Sequence, residues 1–184
     1  MSNNSMLNNK TLAIIATNGF EQSELFEPKS KLEAMGAQIH LISIDDNQEI
    51  RGWDEKDWGE SISVDKQIEQ AKPSDYDAVI LPGGQINPDV LRTNDKVISF
   101  IRASSQENRV KAIAAICHAP WLLAEADIVK DKKITSFPSI RTDMLNAGGL
   151  WEDEEVVVDG KLVTSRNPND IPAFVEAIKS QLSE

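Results

Sequence analysis

Cys117 and the histidine that follows it are the residues best suited to chemistry in this 184-residue chain. The apolar run at residues 110–116 predicts a buried parallel strand that stops at Cys117. A second apolar pattern with helical spacing begins at Pro120, and proline is favoured in the first turn of a helix. A side chain at such a strand-to-helix turn is pushed out above the edge of the sheet, as in a nucleophile elbow. We therefore predict a cysteine nucleophile at this turn.

The residues around Cys117 have the layout G-x-S-x-G, with alanine at 115 and 119 in place of both glycines. Helix N-terminal amides and an imidazolium at His118 would lower the pKa of the thiol. The alternative is a buried, inert cysteine, because free cysteine is among the most buried residue types. The adjacent histidine and the strand–turn–helix context favour reactivity.

Composition excludes several classes of protein. The net charge of −11 argues against nucleic acid and anionic membrane surfaces as partners. Nothing reaches the apolar length of a membrane span. The polar, Asn-rich residues 1–10 have no signal-peptide core, so we expect a disordered leader followed by one domain at 11–184.

One cysteine excludes an internal disulfide and agrees with a cytoplasmic location. Because His40 and His118 are the only histidines, a multi-histidine metal site is impossible within one chain, and we expect no metal or other cofactor.

Apolar strands alternate with helical patterns, which predicts a three-layer α/β/α sandwich around a mainly parallel sheet. Strands are predicted at 11–16, 38–44, 62–64, 76–81, 110–116 and 132–136, with an Asp-Gly hairpin at 155–164. Helices are predicted at 21–34, 65–68, 88–91, 95–107, 120–126, 139–146 and 171–182. Pro28 is expected to break or kink the first helix.

Two further stretches have functional interpretations. The polar segment 45–61 is predicted to be a loop whose Trp53 and Trp58 form either a partner surface or a lid over a small satellite core. Gly83 and Gly84 follow a strand, and glycines there leave backbone amides free to face a ligand. Neither common phosphate-loop pattern is present, so an oxyanion-binding turn beside the elbow is favoured.

Five motifs occur in an order that resembles the ThiJ/PfpI family of the class I glutamine amidotransferase-like superfamily. They are Phe20-Glu21-Gln22-Ser23-Glu24-Leu25, Leu81-Pro82-Gly83-Gly84, Ala115-Ile116-Cys117-His118-Ala119-Pro120, Asn146-Ala147-Gly148 and Val163-Thr164-Ser165-Arg166. The resemblance extends from about Thr11 to the C-terminus. It implies a flavodoxin-like sandwich that assembles as a homodimer or a larger homo-oligomer.

The resemblance also implies a strained cysteine that is hydrogen-bonded to a glutamate from the first strand–helix turn, which Glu24 matches. Glu21 lies three residues earlier and would share its helical face. A protonated Glu24 could donate to the sulfur, stabilise the thiolate and later deliver a proton. Without the resemblance, both glutamates would be read as helix-start charges favoured by the macrodipole.

Two other parts of the site are implied in the same way. The PfpI-like branch contributes an acidic residue after the Pro-Gly-Gly turn across a subunit interface, and Asp89 matches it. The amides of Gly84 and His118 match the oxyanion donors. Arg141 and Arg166 could bind an anionic substrate group, although surface ion pairing is the favoured use of both.

The resemblance implies a cysteine-dependent hydrolase or lyase that acts on small reactive carbonyls or on glycated protein side chains, as a protein deglycase or glutathione-independent glyoxalase in stress protection. A cysteine peptidase is the first alternative, ranked second because adjacent Cys and His side chains are not expected to meet easily at an elbow. The others are a non-enzymatic redox sensor, whose Cys117 oxidises to a sulfinate stabilised by Glu24, and a holdase chaperone using the two tryptophans.

Overall fold

The computed structural model describes residues 6–183. The strands are β1 Thr11–Ile15, β2 Phe20–Glu21, β3 Gln38–Ser43, β4 Glu49–Asp54, β5 Asp57–Ser63, β6 Lys66–Gln67, β7 Ala78–Leu81, β8 Ala112–Ile116, β9 Lys133–Ile134, β10 Leu150–Trp151, β11 Val157–Asp159 and β12 Leu162–Ser165. The α-helices are α1 Gln22–Ala34, α2 Ile86–Leu91, α3 Asp95–Gln106, α4 Pro120–Glu125, α5 Arg141–Asn146 and α6 Ile171–Ser183.

A seven-stranded sheet forms the middle layer, in the order β11-β12-β8-β7-β1-β3-β6. All neighbours pair in parallel except β11 and β12, which form the predicted hairpin. Side chains alternate across each strand, so Leu12 and Ile14 pack on the face covered by α1 and α6, whereas Ala13 and Ile15 pack on the face covered by α3 and α4. The predicted three-layer sandwich is confirmed.

The segment 45–61 is not the predicted loop. Most of it forms the antiparallel hairpin β4–β5, and β4 pairs in parallel with β2. Trp53 and Trp58 are cross-strand partners, with ring centroids 5.5 Å apart at 80°. Most side chains of β5 are exposed on both faces, so the apolar alternation that marks a half-buried strand is missing from its sequence.

Two local predictions need correction. The break predicted at Pro28 is absent, because Pro28 lies inside α1, which continues to Ala34; the alternative of a kink stays a prediction. Within the predicted helix 65–68, Lys66–Gln67 form β6 and Ile68 begins a 3₁₀ turn. The carboxylate of Asp65 accepts a hydrogen bond from the Leu41 N–H at 2.7 Å, so it holds β3 instead of capping a helix.

The start of the chain is ordered earlier than expected. Residues 1–5 of the predicted leader lie outside the described residues. Leu7 is fully buried and its N–H donates to the carbonyl of Met35 at 2.9 Å. One apolar side chain docked beneath α1 therefore fixes part of the polar segment. No helix within residues 6–183 is long and apolar enough to cross a membrane.

Candidate active site

The elbow after β8 holds Cys117 in the left-handed backbone region, at φ 65°. Its N–H donates to the carbonyl of Ser165 at 3.0 Å, and its carbonyl accepts from the Phe137 N–H at 2.8 Å. Two neighbouring segments thus hold the residue in a conformation that costs about 1–3 kcal/mol for a side chain other than glycine. The strained turn predicted from the sequence is present.

Glu24 reaches this turn from the first turn of α1 and is fully buried. Its Oε1 accepts the Gly83 N–H at 3.1 Å, while its Oε2 has no hydrogen-bond partner among the described residues. A Cβ at Gly83 would lie 2.6 Å from Glu24 Oε1 and 2.7 Å from Cys117 Cβ. Only glycine therefore lets the carboxyl, the Pro-Gly-Gly turn and the elbow approach one another.

Burial decides the protonation state of Glu24. Desolvation, followed by repulsion from the charge of Glu21, raises the pKa of Glu24 to about 8. The hydrogen bond from Gly83, with smaller contributions from the neighbouring Cys117 thiol and Gly84 amide, opposes this rise only in part. At neutral pH the side chain is a carboxylic acid and can donate a proton.

The pKa of the Cys117 thiol is raised, which is opposite to the expected direction. Burial is the largest cause and the charge of Glu24 is the second, whereas the amides of Gly84 and His118 lower the pKa. Protonation of Glu24 removes the second cause, because a neutral carboxyl does not repel a thiolate. The ionisation of the thiol and the ionisation of the carboxyl are therefore coupled, because each group loses its proton more readily while the other keeps its own.

The side chains of Cys117 and His118 do meet, contrary to expectation. His118 Nδ1 lies 3.2 Å from Cys117 Sγ, and Nε2 lies 3.2 Å from Ser139 Oγ. The ring stacks on Phe137 at 4.7 Å between centroids. Burial lowers the pKa of His118, so the imidazole is neutral at pH 7 and can accept a proton from sulfur; it is not the imidazolium that the sequence predicted.

A pocket of about 330 Å³ opens above the sulfur. Its walls include the predicted residues Cys117, His118, Glu24, Glu21 and Gly84. Glu21 precedes α1 rather than sharing a helical face with Glu24, yet its side chain reaches the same pocket. In the part of the chain that the structure describes, no group of three or more His, Cys, Asp or Glu side chains is arranged to hold a metal ion.

The sequence of this chain matches the model of a known protein family over almost its whole length. The model of the DJ-1/PfpI family matches residues 10–181. The chain belongs to the DJ-1/PfpI family.

Curated relatives in this family include enzymes of two named kinds. The chain is 39% identical over 165 residues to "Putative cysteine protease YraA" of Bacillus subtilis, covering 90% of this chain and 94% of the relative. It is 38% identical over 166 residues to "Protein/nucleic acid deglycase 2" of Escherichia coli, covering 90% and 93%.

Among solved structures, a two-domain protein of Anabaena variabilis, with DJ-1/ThiJ/PfpI-like and ferritin-like domains, matches with a TM-score of 0.88 and 35% identity. The match covers 95% of this chain and 48% of that one, so the chain spans about half of the Anabaena protein.

Asp89 is the member of the predicted site that the single chain does not bring to the sulfur. It lies on the exposed side of α2 and does not line the pocket. The ring nitrogen of His118 that faces away from the sulfur is bonded to Ser139 instead. A contribution of Asp89 across a subunit interface, as the family resemblance implies, stays a prediction.

Neither candidate arginine lines the pocket of this DJ-1/PfpI chain. Arg166 bonds Asp170 at 2.9 Å and Asp153 at 3.0 Å, as the ion-pair alternative predicted. The guanidinium of Arg141 lies over the ring of Trp151, 5.3 Å from its centroid.

Sequence reasoning missed Ser139, Phe137 and Asn87. Ser139 and Phe137 come from a segment distant from the elbow in sequence, and no local pattern marks them. Trp53 was singled out as part of a partner surface or a lid, and the structure places it in the wall of the reactive pocket. Asn87 is fully buried: its Oδ1 accepts the Thr17 N–H at 2.8 Å, and its Nδ2 donates to the carbonyl of Pro82 at 2.9 Å. It therefore ties the Pro-Gly-Gly turn to the end of β1.

Replacing Asn87 with alanine is expected to destabilise the protein by about 2–4 kcal/mol, because buried backbone groups lose their partners. We also expect kcat to fall roughly tenfold to 10²-fold as the turn moves away from Cys117. Denaturant unfolding and turnover measure the two effects. Asn94→Ala is the control: it removes the N-cap of α3, costs about 1 kcal/mol and leaves activity unchanged. Equal activity of both variants would contradict this positioning role.

Proposed function

We propose that the chain is a cysteine-dependent enzyme that acts on reactive carbonyls, both free 2-oxoaldehydes and their adducts on protein side chains. One observation carries the proposal: the Cys117 thiol shares a pocket with a neutral imidazole 3.2 Å away and with a carboxyl whose pKa is about 8. A proton acceptor and a proton donor thus flank the nucleophile at neutral pH. The deglycase named among its relatives supports the same chemistry.

Addition to an aldehyde uses all of these groups. As the S–C bond forms, the sulfur proton passes to His118 Nδ1 and the carbonyl π electrons move to oxygen. That oxygen is held by the amides of Gly84 and His118 and takes a proton from Glu24. With an amine adduct, the thiol displaces the amine: the C–N bond breaks, and the amine leaves with the proton.

The resulting hemithioacetal of methylglyoxal needs one internal rearrangement. Glu24, now a carboxylate, removes the hydrogen from the sulfur-bearing carbon to give an enediol. A proton is then returned to the former ketone carbon, and the hydroxyl proton of the sulfur-bearing carbon is transferred to the former ketone oxygen, giving the lactoyl thioester. Water then cleaves the thioester to lactate and regenerates the thiol. The net change consumes one water and requires no oxidant or reductant.

Peptidase activity is the second candidate, favoured by the contact between Cys117 and His118 and by the name of the Bacillus subtilis relative. A redox sensor is the third candidate: peroxide reacts with thiolates, and because burial raises the pKa of this thiol, His118 would have to take its proton there as in the addition step. We also propose a cytoplasmic location, because a free thiol is kept reduced in the cytosol.

A homo-oligomer is proposed on the exposed apolar side chains that flank Asp89. Ile86 is 41% exposed and Val90 is 40% exposed, both on α2. An interface there would cover these side chains and bring Asp89 to a neighbouring subunit.

One peptide separates the two activities. A peptide with one arginine is supplied untreated and after reaction with methylglyoxal, and products are identified by mass spectrometry. The proposal predicts lactate and the intact, unmodified peptide from the treated sample, and no fragments from either sample. Peptide fragments without lactate would overturn it in favour of proteolysis.

A further inference from the structure

Aromatic contacts fix the ring plane of His118, which is only 4% exposed. The ring stacks on Phe137, with the two planes at 24°, and it meets the edge of Trp121 at 5.1 Å between centroids. Within residues 6–183 the ring has two polar contacts. They are Cys117 Sγ at Nδ1 and Ser139 Oγ at Nε2, each at 3.2 Å. The base of the site is therefore held between its proton donor and one hydroxyl.

The segment that carries this hydroxyl is tied directly to the elbow. The Phe137 N–H donates to the carbonyl of Cys117 at 2.8 Å, and the Ile140 N–H donates to the carbonyl of Phe137 at 3.1 Å within a 3₁₀ turn. The side chain of Ile140 is buried in the core. Ser139 itself is exposed and does not line the reactive pocket. Backbone hydrogen bonds and a buried neighbour thus hold the hydroxyl against Nε2 without placing it in contact with substrate.

The two contacts of His118 are linked by the chemistry of a neutral imidazole. Such a ring carries one N–H and one lone pair, so a hydrogen on Nε2 leaves the lone pair on Nδ1. Burial raises the pKa of the Cys117 thiol and lowers the pKa of His118, so at neutral pH the sulfur keeps its proton and the ring is uncharged. The S–H then needs an acceptor at Nδ1, which leaves the ring hydrogen on Nε2. The Ser139 hydroxyl makes no other hydrogen bond within residues 6–183, so its oxygen is available to that hydrogen.

We propose that Ser139 is a positioning residue for the reaction: its hydroxyl oxygen accepts the Nε2 hydrogen of His118 and so presents the Nδ1 lone pair to Cys117. The inference rests on the proposed function and assigns a residue that acts through the base of that function. Because a hydroxyl carries no charge, it orients the ring without stabilising an imidazolium. No carboxylate forms an ion pair with His118 in the part of the chain that the structure describes. The ring therefore stays a neutral base until the sulfur gives up its proton.

The competing group for this role is Asp89, which a neighbouring subunit would have to supply. A carboxylate beside Nε2 favours the charged form of the ring and moves the thiol proton onto it. With Asp89 at Nε2, the resting pair would be a thiolate and an imidazolium. With Ser139 at Nε2, the resting pair is a thiol and a neutral imidazole. The two accounts therefore predict different protonation states before any substrate binds.

Nitrogen-15 NMR of histidine-labelled protein measures those states directly. The chain has two histidines, so His40→Gln identifies the signals of His118. At neutral pH the wild type is expected to carry hydrogen on Nε2 and none on Nδ1. In Ser139→Ala the hydrogen is expected to divide between the two nitrogens, whereas Ser139→Thr keeps the hydroxyl and the wild-type spectrum. Hydrogen on Nδ1 in the wild type, or a change caused by Asp89→Asn but not by Ser139→Ala, would overturn the inference.

Alkylation of the single cysteine tests the charge at position 139. Iodoacetamide reacts with the thiolate, forming an S–C bond as iodide leaves. Ser139→Asp places a carboxylate at Nε2 and is expected to speed alkylation at neutral pH by at least about tenfold. Gln85→Glu is the matched control: it adds the same charge to the wall of the reactive pocket without replacing the partner of Nε2, and no acceleration is expected. Equal rates for Ser139→Asp and the wild type would contradict the inference.

Turnover separates this inference from the proposed function. Ser139→Ala is expected to lower kcat for methylglyoxal by about three- to tenfold with KM unchanged, and Ser139→Thr is expected to recover it. Lactate formation with equal kcat in Ser139→Ala and the wild type would sink the positioning role and leave the function intact. If no variant and no wild type forms lactate while the NMR and alkylation results hold, the proposed function fails and the orientation of His118 by Ser139 stands.

Discussion

Cys117→Ser is expected to lower kcat/KM for methylglyoxal by at least about 10³-fold. The hydroxyl is a far weaker nucleophile than sulfur, and His118 is the one neutral base that contacts residue 117 among residues 6–183. The fold is expected to survive, because serine has nearly the same shape and its N–H still donates to Ser165. The measurement is turnover alongside denaturant unfolding.

Thermal or denaturant stability within about 1 kcal/mol of the wild type would show that the loss is chemical. Turnover that persists in Cys117→Ser would mean that another group attacks the carbonyl. In that case the elbow would be a structural feature only.

Glu24→Gln is expected to lower kcat by about 10²–10⁴-fold, because the amide can neither give nor take the proton. The wild-type pH profile is expected to lose activity as pH rises through about 8, where Glu24 loses the proton that it donates to the developing oxyanion. The residual activity of the variant is expected not to show this decrease as the pH rises through about 8. A variant with the wild-type pH profile would contradict the role of Glu24 as donor.

The same substitution has a predictable effect on stability. The pKa of Glu24 rises from 4.5 to about 8 on folding, so between these values the folded state holds a proton that the unfolded state has released. Stability therefore falls as pH rises through this window, and glutamine escapes the cost because it is never charged. Above pH 8, Glu24→Gln is expected to be more stable than the wild type by an amount on the order of a few kcal/mol.

Urea unfolding at pH 5 and pH 9 checks this effect. Glu27→Gln is the control: it lies on the same helix but is exposed, so it is expected to give no gain that grows with pH. A pH-independent difference between Glu24→Gln and the wild type would mean that Glu24 is not buried as a neutral acid.

Sequence alone could predict the parts of this fold that are buried continuously. β8 is fully buried, so its residues form an uninterrupted apolar run that ends at the elbow. β5 is exposed on most of its length, and its polar sequence is indistinguishable from a loop. The hairpin β4–β5, which places Trp53 and Glu55 in the wall of the reactive pocket, was therefore beyond prediction.

The protonation states within the site depend on contacts between segments that are distant in sequence. The raised pKa of Glu24 requires burial beneath Gly83, which lies 59 residues away. His118 is neutral because it is buried between Trp121 and Phe137, and its second nitrogen meets Ser139, 21 residues later. The sequence marked the reactive residues, but the directions of their pKa shifts followed from packing.

The most direct test of Cys117 as a carbonyl-processing nucleophile uses methylglyoxal labelled with carbon-13 and followed by NMR. The wild type is compared with the same protein after alkylation of Cys117, its single cysteine. We predict equimolar conversion of methylglyoxal to lactate at a rate proportional to protein concentration, and none after alkylation. Absence of lactate from the wild type, or equal lactate after alkylation, would contradict the account.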